Sequence, residues 1–257
     1  MTSEVSFRER ILRGDLLVGT FLNLGSPVAV ELAGRAGFDW LLIDLEHGSG
    51  TEADLLLQLY AALSTGVTAL VRVEGSARLR FGRALDLGAP GIMVPRLETV
   101  AEVREAVSFL RWPPDGIRGV ALSTRGAELG GLTHKEVATR SRRHPLIVQV
   151  ENPMMVELAA EVAAVDGVDV LFVGPTDLTH SLGVPGDFAD ATYQAALRTV
   201  VAGARSAGKS AGILLRKLDD LERHVDLGFR FIGIGSDSAF IADGAATAVA
   251  RARSLKS

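Results

Sequence analysis

Residues 168–177 read VDVLFVGPTD, a run apolar almost throughout that ends in a Gly-Pro turn signal and a carboxylate. A strand with one wet face alternates apolar and polar residues. One covered on both faces stays apolar, so this run is expected as a parallel strand inside an α/β fold. The same pattern precedes it at 146–150 (LIVQV, then ENP) and recurs outward at 16–22 (LLVGTFL), 38–43 (FDWLLI), 67–73 (VTALVRV), 91–94 (GIMV), 211–215 (AGILL) and 229–234 (FRFIGI). Segments with helical spacing fit at 27–36, 52–64, 77–87, 99–110, 154–164, 193–207, 217–227 and 238–254. Gly34, Gly37, Gly66, Gly88, Gly208 and Gly228 fall near their ends, where a left-handed residue closes a helix. This repeat within 257 residues predicts an α/β chain folded as a single (β/α)8 TIM barrel over 1–257, with an open doubly wound sheet as the alternative. No linker or composition shift divides it. The stretch 111–144, with WPPDGIRG and GAELGGL, breaks the pattern and is expected as a long functional loop.

Composition excludes several classes. A chain that is 47% hydrophobic with a net charge of -4 can bury a large core, so disorder is not its main state. Without cysteine there are no disulfides, thiolate ligands, iron–sulfur clusters or cysteine nucleophile. The opening MTSEVSFRER is polar and charged, unlike a secretory leader, and no run approaches the roughly 18 apolar residues of a membrane span. The expectation is a cytoplasmic protein with no membrane partner. The acidic balance speaks against nucleic acid, and Arg140, Arg142 and Arg143 read as a solvated loop or helix end. Residues 203–210, GARSAGKS, match a phosphate-binding loop in letters only: they close a helix and lead into a strand, the reverse of the order that chemistry needs.

Barrel chemistry gathers at the C-terminal ends of the strands. Those positions carry Asn23; Asp44, Glu46 and His47; Arg72 and Glu74; Arg96; Glu151 and Asn152; Asp177; Arg216; Ser236 and Asp237. Glu151 and Asp177 end consecutive strands, and two oxygen ligands side by side suit a hard divalent cation that keeps water or takes substrate oxygens. The structural alternatives are a helix cap for Glu151 and an Asx turn for Asp177. His47 is placed for proton transfer near neutral pH, against the alternative of a histidine bonded within its own loop; His180 is its competitor. Arg72 interrupts an apolar run, so it calls for an anionic ligand or an internal ion pair with Asp44 or Glu46. None of the four lysines lies inside a strand, which disfavours imine chemistry.

The segments AGFDWLLIDLEHG, LDLGAPGIMVPRLET, PPDGIRGV, VQVEN and VGPTDLTHSLG, in this order and spacing, resemble the HpcH/HpaI aldolases, the metal-dependent class II pyruvate aldolases, over essentially the whole chain. The resemblance implies a (β/α)8 barrel holding Mg²⁺, Mn²⁺ or Co²⁺ on Glu151 and Asp177. A 2-oxo acid such as pyruvate and an aldehyde would be its small-molecule partners. It further implies His47 as acid/base, Arg72 as the residue stabilising an enolate, Asp44 in the metal–water network, and Asp86 reaching a neighbouring subunit's histidine. Backbone N–H groups in the segment Gly174, Pro175, Thr176 would hold the substrate carboxylate, and Phe21, Val120 and Leu214 would line the pocket. The implied assembly is a homohexamer, a trimer of dimers with an exchanged C-terminal helix.

The implied activity is that of a carbon–carbon lyase cleaving 4-hydroxy-2-oxo acids. Two rivals stand beside it: a CoA-ester lyase of the citrate-lyase β/malyl-CoA type, for which the sequence offers no basic nucleotide-binding face, and a non-catalytic barrel that binds a 2-oxo acid. Leu45 where many relatives have glycine, GPTD for GPAD, VENPMM, and the loop 121–132 depart from the family pattern. They bear on the donor and the aldehyde more than on the reaction.

Overall fold

The computed structural model describes residues 5–255; the first four residues of the polar opening and Lys256 lie outside that range. Eight strands close a barrel in chain order, every neighbouring pair parallel: β1 Leu17–Leu22, β2 Trp40–Asp44, β3 Thr68–Arg72, β4 Ile92–Val94, β5 Leu146–Val150, β6 Val168–Val173, β7 Ser210–Leu215 and β8 Phe231–Ser236. The open-sheet alternative is thereby excluded. The helices are α1 Phe7–Arg13, α2 Pro27–Arg35, α3 Glu52–Thr65, α4 Arg78–Asp86, α5 Val100–Leu110, α6 His134–Arg140, α7 Pro153–Glu157, α8 Ala159–Ala163, α9 Pro175–Ser181, α10 Ala191–Ser206, α11 Leu221–Leu227 and α12 Asp237–Arg253.

Their starts follow local chemistry. Reciprocal side-chain and backbone bonds cap α1, α3, α5 and α6 through Ser6/Glu9, Thr51/Asp54, Thr99/Glu102 and Thr133/Glu136. Proline opens α2, α7 and α9, where its missing N–H costs nothing.

Two apolar layers result. Phe21, Trp40, Leu42, Leu70, Met93, Ile147, Val170, Phe172 and Phe231 fill the barrel, with the Trp40 and Phe231 rings stacked at 4.3 Å. Gly19 makes room for this: a Cβ there would come within 2.1 Å of the Trp40 ring. Ile11 of α1 belongs to the same interior cluster, with Phe7 packed against it. The outward faces of the strands pack beneath the surrounding helices.

Two expectations need correction, and the chain's opening adds a helix, α1, that the apolar spacing does not announce. Residues 154–164 form two short helices that part at Leu158, where ψ is 4°. The 111–144 stretch is not one continuous loop: it holds 3-10 turns at Arg125–Gly130 and Ser141–Arg143 and the helix α6. It is anchored by Arg118, whose wholly buried guanidinium lies 4.1 Å from the Trp112 ring centroid. Residues 203–210 close α10 and enter β7. Among the described residues, no helix is long and apolar enough to cross a membrane.

Candidate active site

β2 and β3 end in register, which sets Asp44 beside Arg72 at the mouth of the barrel. Both are buried. The guanidinium donates twice to Asp44, from Nε to Oδ1 at 2.9 Å and from Nη2 to Oδ2 at 2.7 Å. Its Nη1 reaches Gln149 Oε1 at 3.4 Å and Glu46 Oε2 at 3.3 Å. The internal ion pair considered from the sequence is therefore present with both carboxylates, so a substrate anion is not needed to account for this burial. An Nη2–H remains outside these bonds. Below it lies the Phe21 ring, with its centroid 5.3 Å from the guanidinium carbon. Asp44 also shapes the next loop, because Oδ1 accepts from the N–H groups of Glu46 (3.0 Å) and His47 (3.2 Å).

Gln149 sits one residue before the end of β5, two residues on from the interior Ile147, and so faces inward. While its Oε1 accepts from Arg72, its Nε2 donates to Glu151 Oε2 at 2.8 Å. The other oxygen of Glu151 accepts the Arg96 N–H at 2.7 Å. Arg96 adopts a left-handed backbone, φ 59°, and its Nε donates to Glu46 Oε1 at 3.0 Å. Two arginines thus hold the buried carboxylate of Glu46. A Cβ on Gly174 would lie 3.2 Å from Gln149 Nε2 and 3.5 Å from Glu151, and this close approach brings the start of α9 against Glu151. Asp177 is the third residue of α9 and is exposed to solvent.

Burial pushes the Glu151 carboxyl above the usual carboxylate range, and the charges of Asp177 and Glu46 push the same way; the Arg96 N–H and the Arg72 charge oppose them. The cluster holds four carboxylates, Asp44, Glu46, Glu151 and Asp177, against the guanidiniums of Arg72 and Arg96. A divalent cation would balance that excess. The donors are carboxylate oxygens, suited to a hard ion. No group of three or more His, Asp or Glu side chains able to hold a metal is found among the described residues, so a cation on Glu151 and Asp177 would complete its shell with water or substrate oxygens.

The other sequence candidates fall in different places. His47 is exposed, its side chain 59% accessible, with Nε2 3.9 Å from Glu46 Oε2. Phe21 is part of the barrel interior and Leu214 packs against it. Gly174 and Pro175 are buried and Thr176 is exposed. The expected anion-binding N–H groups are fewer than the resemblance implied: the Gly174 N–H bonds Val150 O at 3.2 Å, and proline has none. Those of Thr176 and Asp177, in the first turn of α9, have no carbonyl within the helix to bond. Val120 is exposed and makes none of the contacts above. Asp86 ends α4 and accepts from Arg118 Nη2 at 2.8 Å, outside the Arg72–Glu151 cluster. The sequence does not disclose the roles of Gln149 and Arg96, the second of which adds another guanidinium to Glu46. A glutamine inside LIVQV was the available signal for the first, since a buried amide needs partners.

Residues 17–243 match the family described as HpcH/HpaI aldolase/citrate lyase. The hydroxypyruvate/pyruvate aldolase of Delftia acidovorans is 35% identical over 250 residues, covering 97% of this chain and 93% of that one. The 5-keto-4-deoxy-D-glucarate aldolase of Klebsiella pneumoniae is 34% identical over 231 residues, 90% of each chain. Among solved structures, an HpcH/HpaI aldolase/citrate lyase family protein from Burkholderia cenocepacia superposes with a TM-score of 0.92 at 34% identity, over 97% of this chain and 100% of that one.

Proposed function

Because this chain belongs to the HpcH/HpaI aldolase/citrate lyase family and is a carbon–carbon lyase, we propose that it reversibly cleaves 4-hydroxy-2-oxo acids into pyruvate, or a related 2-oxo acid, and an aldehyde. The observation that carries this reading is the buried Arg72, joined through Gln149 to Glu151 at the barrel mouth. Cleaving the C3–C4 bond leaves its electron pair on C3, delocalised onto the 2-oxo oxygen as an enolate. A fixed guanidinium in a site partly shielded from water stabilises such charge without reorganising. Asp44 supplies that fixity, and it also holds the loop that presents His47. Exposed at the mouth, His47 takes the proton of the 4-hydroxyl on cleavage and returns it on addition. Phe21 and Leu214 form an apolar floor beneath the reacting carbons. The N–H groups of Thr176 and Asp177 face the substrate carboxylate.

Divalent-metal dependence is typical of this family. Glu151 and Asp177 would hold the ion, Mg²⁺, Mn²⁺ or Co²⁺, which would supply Lewis-acid stabilisation of the 2-oxo group. In this reading the enzyme is a cytoplasmic homohexamer, a trimer of dimers in which α12 is exchanged and Asp86 lies at a subunit contact.

Pyruvate release from a set of 4-hydroxy-2-oxo acids, with and without chelator, tests the proposal. Release that stops on complete metal removal and returns with Mn²⁺ is expected; release that survives removal overturns the metal-dependent reading. Glu151→Ala should abolish the metal-dependent rate. His47→Ala should slow cleavage far more than it weakens metal binding, and equal loss of both would contradict its role as base.

A further inference from the structure

The backbone at Arg96 does a job that needs no arginine. Its N–H donates to Glu151 Oε1, and its left-handed φ of 59° is a conformation in which glycine or asparagine is at ease and a long side chain is strained. The side chain therefore calls for a separate explanation. Its single bond within the protein runs from Nε to Glu46, a carboxylate that Arg72 already compensates. Among the described residues both Nη groups of Arg96 lack partners, and they form the end of a planar fork matched to carboxylate or phosphate. The two guanidiniums also differ in depth. The Arg72 side chain is 9% exposed on the floor of the site and that of Arg96 is 67% exposed at its rim, with Glu46 in contact with both. A substrate anchored by its oxo-acid end over Arg72 would extend its other end outward past Arg96.

We propose that Arg96 determines acceptor specificity: its free fork binds an anionic group on the aldehyde-derived end of the substrate, so that the enzyme favours acceptors carrying a carboxylate. This inference rests on the aldolase reading above, and its test separates the two. Pyruvate and Mn²⁺ are supplied with matched acceptors, succinic semialdehyde against butanal and glyoxylate against glycolaldehyde, for the wild-type enzyme, Arg96→Gln and Arg96→Lys. Exchange of the pyruvate methyl protons with D₂O in the absence of aldehyde is followed by NMR.

The wild-type enzyme should show the higher kcat/KM for the carboxylate member of at least one pair. Arg96→Gln should lower that value by roughly 10- to 100-fold, chiefly through KM, while the neutral member changes by less than about threefold. Proton exchange should persist, and Arg96→Lys should fall between. An unchanged acceptor preference overturns the proposal. So does an equal loss for both members or a loss of exchange in Arg96→Gln, which would make the side chain a support for Glu46 and Glu151. A wild-type enzyme that neither exchanges pyruvate protons nor joins pyruvate to any aldehyde would fail the aldolase reading itself, and this inference with it.

Discussion

Asp44 and Arg72, paired in register at the ends of β2 and β3, meet through two parallel hydrogen bonds of 2.9 and 2.7 Å with both side chains out of water. The register between β2 and β3 sets these two terminal residues side by side, so the pairing is a direct product of the barrel. Two-point contact also fixes the plane of the guanidinium, which a single ammonium cannot reproduce.

Arg72→Lys should therefore keep the charge and lose the reaction. We expect kcat to fall roughly 100- to 1,000-fold with the circular dichroism spectrum retained. Arg72→Met should in addition leave Asp44 buried without its cation and lower the unfolding free energy by about 3–5 kcal/mol in urea titrations. Near-normal kcat in the lysine variant would mean that Arg72 serves the fold alone.

Gln149 gives a separate test, because its amide spans Arg72 and Glu151 without being a metal ligand in this reading. Gln149→Met preserves bulk and removes both bonds. The freed Glu151 carboxylate should lose its orientation, and Mn²⁺ affinity measured by calorimetry should weaken about 10- to 100-fold. Unchanged affinity would show that the Arg96 N–H alone orients Glu151.

These residues also show where legibility ended. LIVQV and VDVLFV announced β5 and β6 to the residue, since burial on both faces leaves an unmistakable apolar run. The mouth followed from the ends of such runs, and Asp44, Arg72, Glu151 and Asp177 were all named from it. What escaped depended on three-dimensional neighbours. The left-handed turn at Arg96 carries no glycine to mark it, and Gln149 acquires meaning only once β3 and β5 lie in one barrel. The helices α1 and α6 differ: Ser6 with Glu9 and Thr133 with Glu136 are capping pairs visible in the sequence, but the segments they open are polar or irregular.

The last helix leads to a prediction about assembly. α12 is exposed from Phe240 to Arg253, and it carries Phe240, Ile241 and Val249 on surface that this chain does not cover. In the proposed hexamer these apolar side chains would be covered by a second copy of the chain. Ile241→Glu should reduce the mass measured by light scattering at micromolar concentration, leaving the barrel's circular dichroism intact. An unchanged mass would place the subunit contacts elsewhere.

His144 predicts an acid sensitivity unrelated to catalysis. Its Nδ1–H donates to Pro90 O at 3.0 Å, and its Nε2 is buried with no hydrogen-bond partner among the described residues. Burial depresses the ring's pKa to about 4 against the Pro90 bond, and the nearby Arg118 and Arg140 charges add to the depression. For a group whose pKa is lower folded than unfolded, the stabilisation is complete above the unfolded value, near 6.5, and is lost as the pH falls toward about 4. The loss should amount to about 2–3 kcal/mol, the lower figure allowing for solvent that reaches part of the residue. Other carboxylates titrate across the same range, so the measurement is a difference: unfolding free energies of the wild-type protein and His144→Gln, by urea, from pH 7 to pH 4. The wild-type curve should fall more steeply between pH 6.5 and pH 4. Parallel curves would show that the buried Nε2 accepts a proton in the folded protein as readily as in the unfolded one.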